Sequence, residues 1–323
     1  MAVTRISDII QPELFNAYVI DRAVDQSRFV QSGVITRRPE LDQLVTAGGV
    51  SLTMPSWNDL DGQSWVMNDN DPIPISGINA KAEVATLQIR AKAWGAHELA
   101  GALAGDDPMA AITQLVATWW TRDDQRTLFS ILKGVFASAS MADLIQGDGT
   151  ATISDGLVLD GKQRLGDMAD QLVSIAMHSA TYTYLQKQGL IIMVPGNVTD
   201  INSKTQAPLF PTYLGYNVIV DDGMQYSAGV YESYLFAAGV ISHGQGVPVS
   251  ITPVETDRDS LMSTDYLIHR RAQVLHPMGI SWLGIGNTID PTPSNSDLEI
   301  GTNWERVVDI KKIGIVKLRH KLA

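Results

Sequence analysis

The chain contains 323 residues, no cysteine and a formal net charge of −11 at pH 7. A chain of this length allows about two domains, and 45% hydrophobic with 18% charged residues is typical of a globular protein. The absence of cysteine excludes disulfides, thiolate catalysis and cysteine-based metal sites, and the acidic balance argues against a simple nucleic-acid-binding protein. No signal pattern and no apolar run near the roughly 18 residues of a membrane helix is present, so we expect a soluble intracellular protein that binds no membrane.

Residues 1–47 are predicted to form an N-terminal arm. Pro12 is well placed in the first turn of a helix over Glu13 to Val30, and Gly33 with the Arg37-Arg38-Pro39 turn interrupts that helix. Nothing in this stretch indicates an independent core.

Residues 48–95 form a long segment with strand character that has no obvious place to bury its side chains. An apolar strand is followed by a turn-rich middle, and residues 84–94 then alternate between a polar face and an apolar face. A two-stranded ribbon alone is at best marginally stable in water. We therefore predict that this ribbon packs against another copy of the chain.

A helix from Pro108 to Ala137 is the clearest element of the sequence. Asp106-Asp107 supplies a cap, Pro108 suits the first helical position, and apolar residues recur at helical spacing. Such a helix would be about 45 Å long. The residues that we expect to face the core from this spine helix are Ile112, Leu115, Trp119, Leu128 and Leu132.

Residues 161–264 alternate between helical and strand patterns, which predicts an α/β region. The predicted helices cover Gly161 to Ala169 and the stretch from a Ser179 cap to Gly189. The predicted strands are Leu172 to Met177, Leu190 to Val194, Tyr216 to Val220, Tyr234 to Ile241 and Val249 to Val254, and Tyr266 to Leu275 follows.

The C-terminal stretch is basic. A linker over Asp290 to Ser296 precedes it, and from Arg306 to Ala323 six basic residues stand against Asp309 alone, which gives +5 there and −16 in the remainder. A solvated strand would explain this charge; we favour contact with an acidic neighbouring subunit over contact with a polyanion. The residues predicted to make contacts between subunits are Trp57, Trp65, Ile73, Ile75, Ile78, Arg90, Trp304, Lys311 and Lys312.

No group of residues matches a catalytic, metal or cofactor pattern. His97-Glu98 lacks a second histidine four residues on, and Asp59-Leu60-Asp61-Gly62 lacks the later ligands of a calcium loop. His178-Ser179 and Asp221-Asp222 fit a helix cap and a turn better than a triad or paired carboxylates. We therefore expect a structural protein with no enzymatic activity, metal or cofactor.

Several stretches, taken in order, resemble the major capsid proteins of tailed bacteriophages with the Hong Kong 97-type fold. Met177-His178-Ser179 leading to Gly189-Leu190-Ile191 resembles a helix–strand turn of that family, and Leu214 to Asp222 resembles its next strand. Arg270-Arg271 with His276 to Trp282 resembles the late strand that re-enters the core. The order of arm, ribbon, spine helix and α/β region agrees as well.

The resemblance implies an α+β fold with five parts. They are an N-terminal arm (1–47), an extended E-loop (48–95), a P-domain that holds the spine helix (96–160 and 265–286), an A-domain (161–264) and a C-terminal extension (287–323). It also implies a shell subunit that self-assembles into pentamers and hexamers around double-stranded DNA, with no sequence-specific DNA binding.

The implied partners are a portal protein and a separate scaffolding protein, since the arm begins almost at Met1. The implied locations are the virion and, during assembly, the host cytoplasm. Some family members join subunits by a lysine–asparagine bond; Lys81 is the only lysine between Gly48 and Arg90, but no matching asparagine or acid is found, so no crosslink is assigned.

Three alternatives stay open on the sequence. A bacterial encapsulin shares the fold and encloses enzymes, and a tail or connector protein would form rings. A hydrolase would use His178 or Asp222 and would remain a small, active oligomer.

Overall fold

One long helix and two large β-sheets organise the chain, and together they make an α+β fold as predicted. The computed structural model describes residues 27–49, 51–57, 63–64, 75, 77, 80–99, 103, 108–195, 209–224, 226–284 and 292–323. Within these ranges no helix is long and apolar enough to cross a membrane.

The elements follow one another in a mixed order. The helices are α1 (Arg28–Gln31), α2 (Pro39–Ala47), α3 (Pro108–Ala137), α4 (Asp155–Gln163), α5 (Ser179–Lys187) and α6 (Asn295–Leu298). The first strands are β1 (Ile35–Arg37), β2 (Ser51–Trp57), β3 (Ala80–Thr86), β4 (Gln88–His97), β5 (Ile145–Gln146), β6 (Leu172–Met177), β7 (Ile192–Pro195), β8 (Leu209–Tyr213) and β9 (Tyr216–Val220). The later strands are β10 (Tyr226–Ser227), β11 (Val230–Ala237), β12 (Ile241–Gly246), β13 (Val254–Asp259), β14 (Thr264–Pro277), β15 (Ile280–Trp282), β16 (Trp304–Arg306) and β17 (Ile315–His320).

Helix α3 has the predicted bounds, but its buried stripe differs from the predicted one. Leu128 and Leu132 are 1% and 0% exposed, whereas Ile112 and Trp119 are half-buried. Leu115 is 64% exposed, so its assignment to the core is corrected. In the first half of α3, Val116 and Trp120 are buried against the sheet. Leu115 therefore lies on a face of the helix that points away from the sheet.

An eight-stranded sheet has the order β5-β17-β11-β6-β9-β8-β7, with β10 added beside β11. Strand β17 pairs antiparallel with β11 and parallel with β5. The described part of the predicted C-terminal extension thus supplies an interior strand of this sheet. Its apolar side chains Ile315, Val316 and Leu318 are each 0% exposed in the main core.

A five-stranded sheet joins β1, β12, β14 and β13, and β4 also pairs with β14. The prediction of a strand from Val249 to Val254 is wrong, because strand β13 begins at Val254 and pairs with β14. Strand β14 is the centre of this sheet, since it contacts β12, β13 and β4 along its 14 residues.

The ribbon is formed by β2 and β3, which make a separate two-stranded sheet. The predicted continuous strand over residues 84–94 is divided at Leu87: β3 belongs to the ribbon and β4 to the five-stranded sheet. Leu87 is fully buried with Ala85, Leu52 and Val274 in a small cluster of its own. Alternation along one strand does not identify its partner, which is why the division was not predicted.

Candidate assembly surface

The ribbon touches the body of the chain mainly along one strand. The backbone N–H of Val84 donates to Ser281 Oγ at 3.0 Å, and Lys81 Nζ donates to the carbonyl oxygen of Val307 at 2.8 Å. Strand β15 packs against β3. On the other strand of the ribbon, Ser51 and Thr53 are exposed.

Of the contact residues predicted in the ribbon, only part falls within the described residues. Ile75 is 99% exposed, so its side chain is available to another molecule. The backbone of Trp57 belongs to β2. The side chain of Trp57 and the residues Trp65, Ile73 and Ile78 lie outside what the structure describes.

Arg90 and Trp304 make hydrogen bonds within the same chain. Arg90 Nη2 donates to the Pro293 carbonyl oxygen at 2.8 Å and to Asn295 Oδ1 at 3.2 Å, and burial lowers the pKa of Arg90. Trp304 is 2% exposed, and its indole N–H donates to the Leu298 carbonyl oxygen at 2.8 Å. The prediction that Trp304 forms an inter-subunit contact is therefore corrected: its ring is part of the core.

The basic C-terminal residues find acidic partners in the same chain. Lys311 Nζ lies 2.9 Å from Asp167 Oδ1, and this hydrogen bond raises the pKa of Lys311 and lowers that of Asp167. Lys317 is 8% exposed and lies 2.7 Å from Glu232 Oε1. Burial lowers the pKa of Lys317, which the Glu232 carboxylate opposes. Lys312 is exposed. Two of the six basic side chains that suggested a neighbour are thus paired with acids of the same chain.

Two apolar surfaces were not predicted from the sequence. In the turn between β13 and β14, Leu261 and Met262 are 96% and 64% exposed. At the edge of the eight-stranded sheet, Ile192 and Phe210 on β7 and β8 are 64% and 51% exposed. The first surface could have been predicted from the sequence, because a leucine and a methionine stand next to charged residues in a turn. The second surface could not, because it depends on which strands lie at the edge of the sheet. Exposed apolar groups of this kind mark contact surfaces when they cluster.

The His178 and Asp222 pair does not have the arrangement of a catalytic site. His178 Nδ1 accepts from the backbone N–H of Ala180 at 3.0 Å, so His178, rather than the predicted Ser179, caps helix α5. The Asp222 carboxylate lies 3.8 Å from His178 Nδ1 and accepts from the Ser179 N–H. Hydrogen bonding from the Ser179 side chain, and to a smaller extent from its backbone, lowers the pKa of Asp222. Burial raises the pKa of Asp221, whose Oδ1 accepts from the Gly223 N–H. These bonds build a cap and a turn.

The described residues do not form a metal site. Those residues contain no cluster of three or more histidine, aspartate or glutamate side chains that could hold a metal ion. The Asp59 to Gly62 segment lies outside the described residues. What the described surface offers is a separate two-stranded ribbon, an exposed hairpin turn and an apolar sheet edge.

Comparison with known proteins gives these surfaces a context. The major capsid protein of Bacillus phage SPP1 is 42% identical over 332 aligned residues, which cover 100% of this chain and 99% of that protein. No family model matches the chain.

Solved structures with a similar fold are phage capsids of low sequence identity. The cyanophage Pam1 capsid has a TM-score of 0.60 at 11% identity and covers 93% of each chain. The capsid of Ralstonia phage GP4 has a TM-score of 0.59 at 10% identity and covers 92% of this chain and 91% of its own. The chain thus has the Hong Kong 97-type fold, and by its identity to the SPP1 protein it belongs to the tailed-bacteriophage major capsid proteins, the structural subunits that form the viral shell.

Proposed function

We propose that this chain forms pentamers and hexamers that close into an icosahedral shell around double-stranded DNA. The observation that carries the proposal is the ribbon of β2 and β3, which pairs with no third strand among the described residues. A two-stranded ribbon is marginal alone, so contact with a neighbouring subunit would complete its environment. Closed symmetry would also remove exposed strand edges that favour open-ended aggregation.

The five-part division proposed from the sequence assigns each exposed surface a role. The E-loop ribbon would lie across an adjacent subunit and bring Ile75 into contact with it. The A-domain would meet its copies near the capsomer centre through the β7 and β8 edge that carries Ile192 and Phe210. The hairpin turn with Leu261 and Met262, at the C-terminal end of the A-domain in that division, would contact another subunit.

The net charge of the chain supports a shell that encloses DNA without binding it tightly. A net charge of −11 gives little attraction for phosphate, because DNA affinity requires clustered lysine and arginine side chains. Since Lys311 and Lys317 are paired with acids of the same chain, the basic C-terminal stretch adds less to such attraction than its sequence indicated. We propose that the chain has no catalytic activity. The further partners would be a separate scaffolding protein and a portal protein, with assembly in the host cytoplasm.

Deletion of residues 58–77 tests the role of the ribbon. The cut ends stay close because Trp57 pairs with Ala80, so the subunit should remain folded with unchanged circular dichroism and melting temperature. With the scaffolding protein co-expressed, the deletion should abolish the closed shells that the full chain forms in negative-stain micrographs. A variant with a Gly/Ser linker of equal length is the matched control for chain length, and it should also fail to assemble. Uniform closed shells from the deletion would contradict the proposal.

The content of purified particles separates this function from that of an encapsulin. The 42% identity to a phage capsid protein over the whole chain favours DNA as the content. We expect particles from infected cells to contain nuclease-protected DNA. Particles that hold a single enzyme and no DNA would reverse the assignment.

A further inference from the structure

A buried carboxylate lies at the root of the ribbon. Glu83 is on β3, the strand that joins the ribbon to the five-stranded sheet, and its side chain is 8% exposed. A buried charge is costly unless polar partners stabilise it. Glu83 Oε2 accepts from the backbone N–H of Gly279 at 3.0 Å and lies 3.5 Å from His276 Nε2. Burial alone would raise the pKa of Glu83, but the His276 side chain and the Gly279 N–H together hold it below its usual value.

The donor at Gly279 is rigidly placed. Gly279 has a φ of +81°, which disfavours other residues, and a Cβ there would lie 2.5 Å from Val308 and 2.9 Å from Ile313. The turn between β14 and β15 is therefore packed tightly with its N–H directed at the ribbon. His276 is also fixed, since it is 1% exposed within the five-stranded sheet.

Glu83 lies between a buried part and an exposed part of strand β3. On the side toward β4, Ala85 and Leu87 are each 0% exposed in a buried cluster. On the side toward Ala80, Ala82 and Lys81 are exposed, although Lys81 Nζ donates to the Val307 carbonyl oxygen. Val84, which precedes the buried Ala85, donates its N–H to Ser281 Oγ. The Glu83 carboxylate is thus a buried attachment of β3 to the rest of the chain at this boundary.

We propose that Glu83 is a positioning residue that fixes the direction in which the ribbon leaves the subunit. A small rotation at the root becomes a large displacement at the far end, so the Glu83 contact to Gly279 and His276 determines where the ribbon meets its neighbour. The consequence for assembly rests on the proposed function, in which the ribbon contacts an adjacent subunit. The effect of Glu83 on the direction of the ribbon does not depend on the proposed function.

The direction can be measured in the unassembled subunit. Because the chain has no cysteine, Gln63→Cys and Gln114→Cys place two spin labels at exposed positions on the ribbon segment and on α3 without other reactive thiols. Double electron–electron resonance should give a narrow distance distribution in this background and a broader, shifted one with Glu83→Ala. Glu83→Gln should lie between them, because an amide oxygen can still accept from the Gly279 N–H.

The matched control is Glu255→Gln, the same chemical change at an exposed glutamate that pairs with Arg270 on the other side of β14. It should leave the distribution unchanged. An unchanged distribution in folded Glu83→Ala would overturn the proposal; if that variant does not fold, an unchanged distribution in Glu83→Gln would do so.

An assembly experiment separates this proposal from the proposed function. With scaffolding protein present, Glu83→Ala should give particles of mixed diameter and irregular shape, while Glu255→Gln gives uniform shells. If deletion of residues 58–77 leaves assembly intact, the ribbon contact itself is wrong. If that deletion blocks assembly but Glu83→Ala still gives uniform shells of normal diameter, only the positioning role is wrong.

Discussion

The two halves of helix α3 are stabilised in different ways. In the C-terminal half, Leu128, Ile131, Leu132 and Val135 are at most 1% exposed and pack into the apolar core of the eight-stranded sheet. The N-terminal half packs on the five-stranded sheet through a smaller apolar cluster that includes Val116 and Leu267, and the buried polar side chains Arg271 and His269 lie next to this cluster. Trp120 connects the two environments, since it is fully buried in this smaller apolar cluster.

The polar side chains under the N-terminal half share strand β14 and its neighbours. Arg271 is 1% exposed, its guanidinium lies 4.5 Å from the centre of the Trp120 ring, and it pairs with Asp124 of α3. Gln273 on β14 and its cross-strand neighbour Gln88 on β4 are each 0% exposed. Buried polar groups of this kind depend on correct partners, whereas apolar packing depends on volume. The middle of α3, around Trp120 and Asp124, should therefore respond to charge and pH as well as to cavities, and the C-terminal half mainly to cavities.

Trp120→Ala should give the largest loss of stability. Removing this fully buried ring should lower the free energy of unfolding by about 3–5 kcal/mol, and it also removes the contact with Arg271. Trp119→Ala should cost clearly less, because Trp119 is half-buried and packs edge-on against Trp94. Urea unfolding of the unassembled subunit measures both values. Equal losses would mean that the two rings are equally buried in solution.

Removing the carboxylate that pairs with Arg271 tests the buried polar contacts below α3 directly. Asp124→Ala leaves a buried guanidinium without its carboxylate, which should cost about 3 kcal/mol, at the lower end for such pairs because the Asp124 side chain is 24% exposed. Arg271→Met, which removes the charge and keeps the volume, should cost much less. If Arg271→Met costs as much as Asp124→Ala, the guanidinium stabilises the sheet through contacts other than this ion pair.

Acid should destabilise the subunit through buried histidines. Burial lowers the pKa values of His243 and His269 in the five-stranded sheet, and of His320 in the other sheet, from 6.5 to about 4. Near His243, the carboxylates of Asp124 and Asp42 raise its pKa, whereas Arg271 and Arg37 lower it further. Arg271 also lowers the pKa of His269. A hydrogen bond with the backbone of Lys321 raises the pKa of His320.

The sign follows from proton binding. Between pH 6.5 and about 4 the unfolded chain binds protons at these positions while the folded chain leaves them neutral, so stability falls as the pH falls through this window. Each histidine contributes a slope of at most about 1.4 kcal/mol per pH unit. His269→Gln should flatten the measured slope, and His97→Gln, at an exposed position, should not. Stability that is constant across the window would contradict the neutral buried state.

The sequence predicted elements well where local signals agree. The bounds of α3, Pro108–Ala137, and of the strands Leu172–Met177 and Tyr216–Val220 match the structure, because caps, turns and apolar periodicity point to the same ends. Gln88 shows the limit. It falls on the polar face of an alternating pattern, which predicts exposure, yet it is 0% exposed beside its cross-strand neighbour Gln273.

The candidate assembly surface was predicted in outline only. The ribbon was identified because two segments with strand character flank a turn-rich middle and a two-stranded ribbon alone is marginally stable. The burial of Trp304 and the pairing of Lys317 with Glu232 depend instead on which strands become neighbours. The same holds for the exposed Leu261, whose apolar side chain would be expected inside a domain. Side-chain partners across a sheet are set by strand order, and local sequence does not contain that order.

Leu115→Ala is expected to have the smallest effect and sharpens the comparison within α3. Its side chain is 64% exposed, so the free energy of unfolding of the subunit should change by less than about 0.5 kcal/mol. Leu132→Ala is the matched change in the C-terminal half, and at 0% exposure it should cost about 2–5 kcal/mol. Thermal and urea unfolding of both variants would show whether the outer face of the N-terminal half is open in the subunit. A loss at Leu115 comparable to that at Leu132 would mean that another part of the chain covers this face in solution.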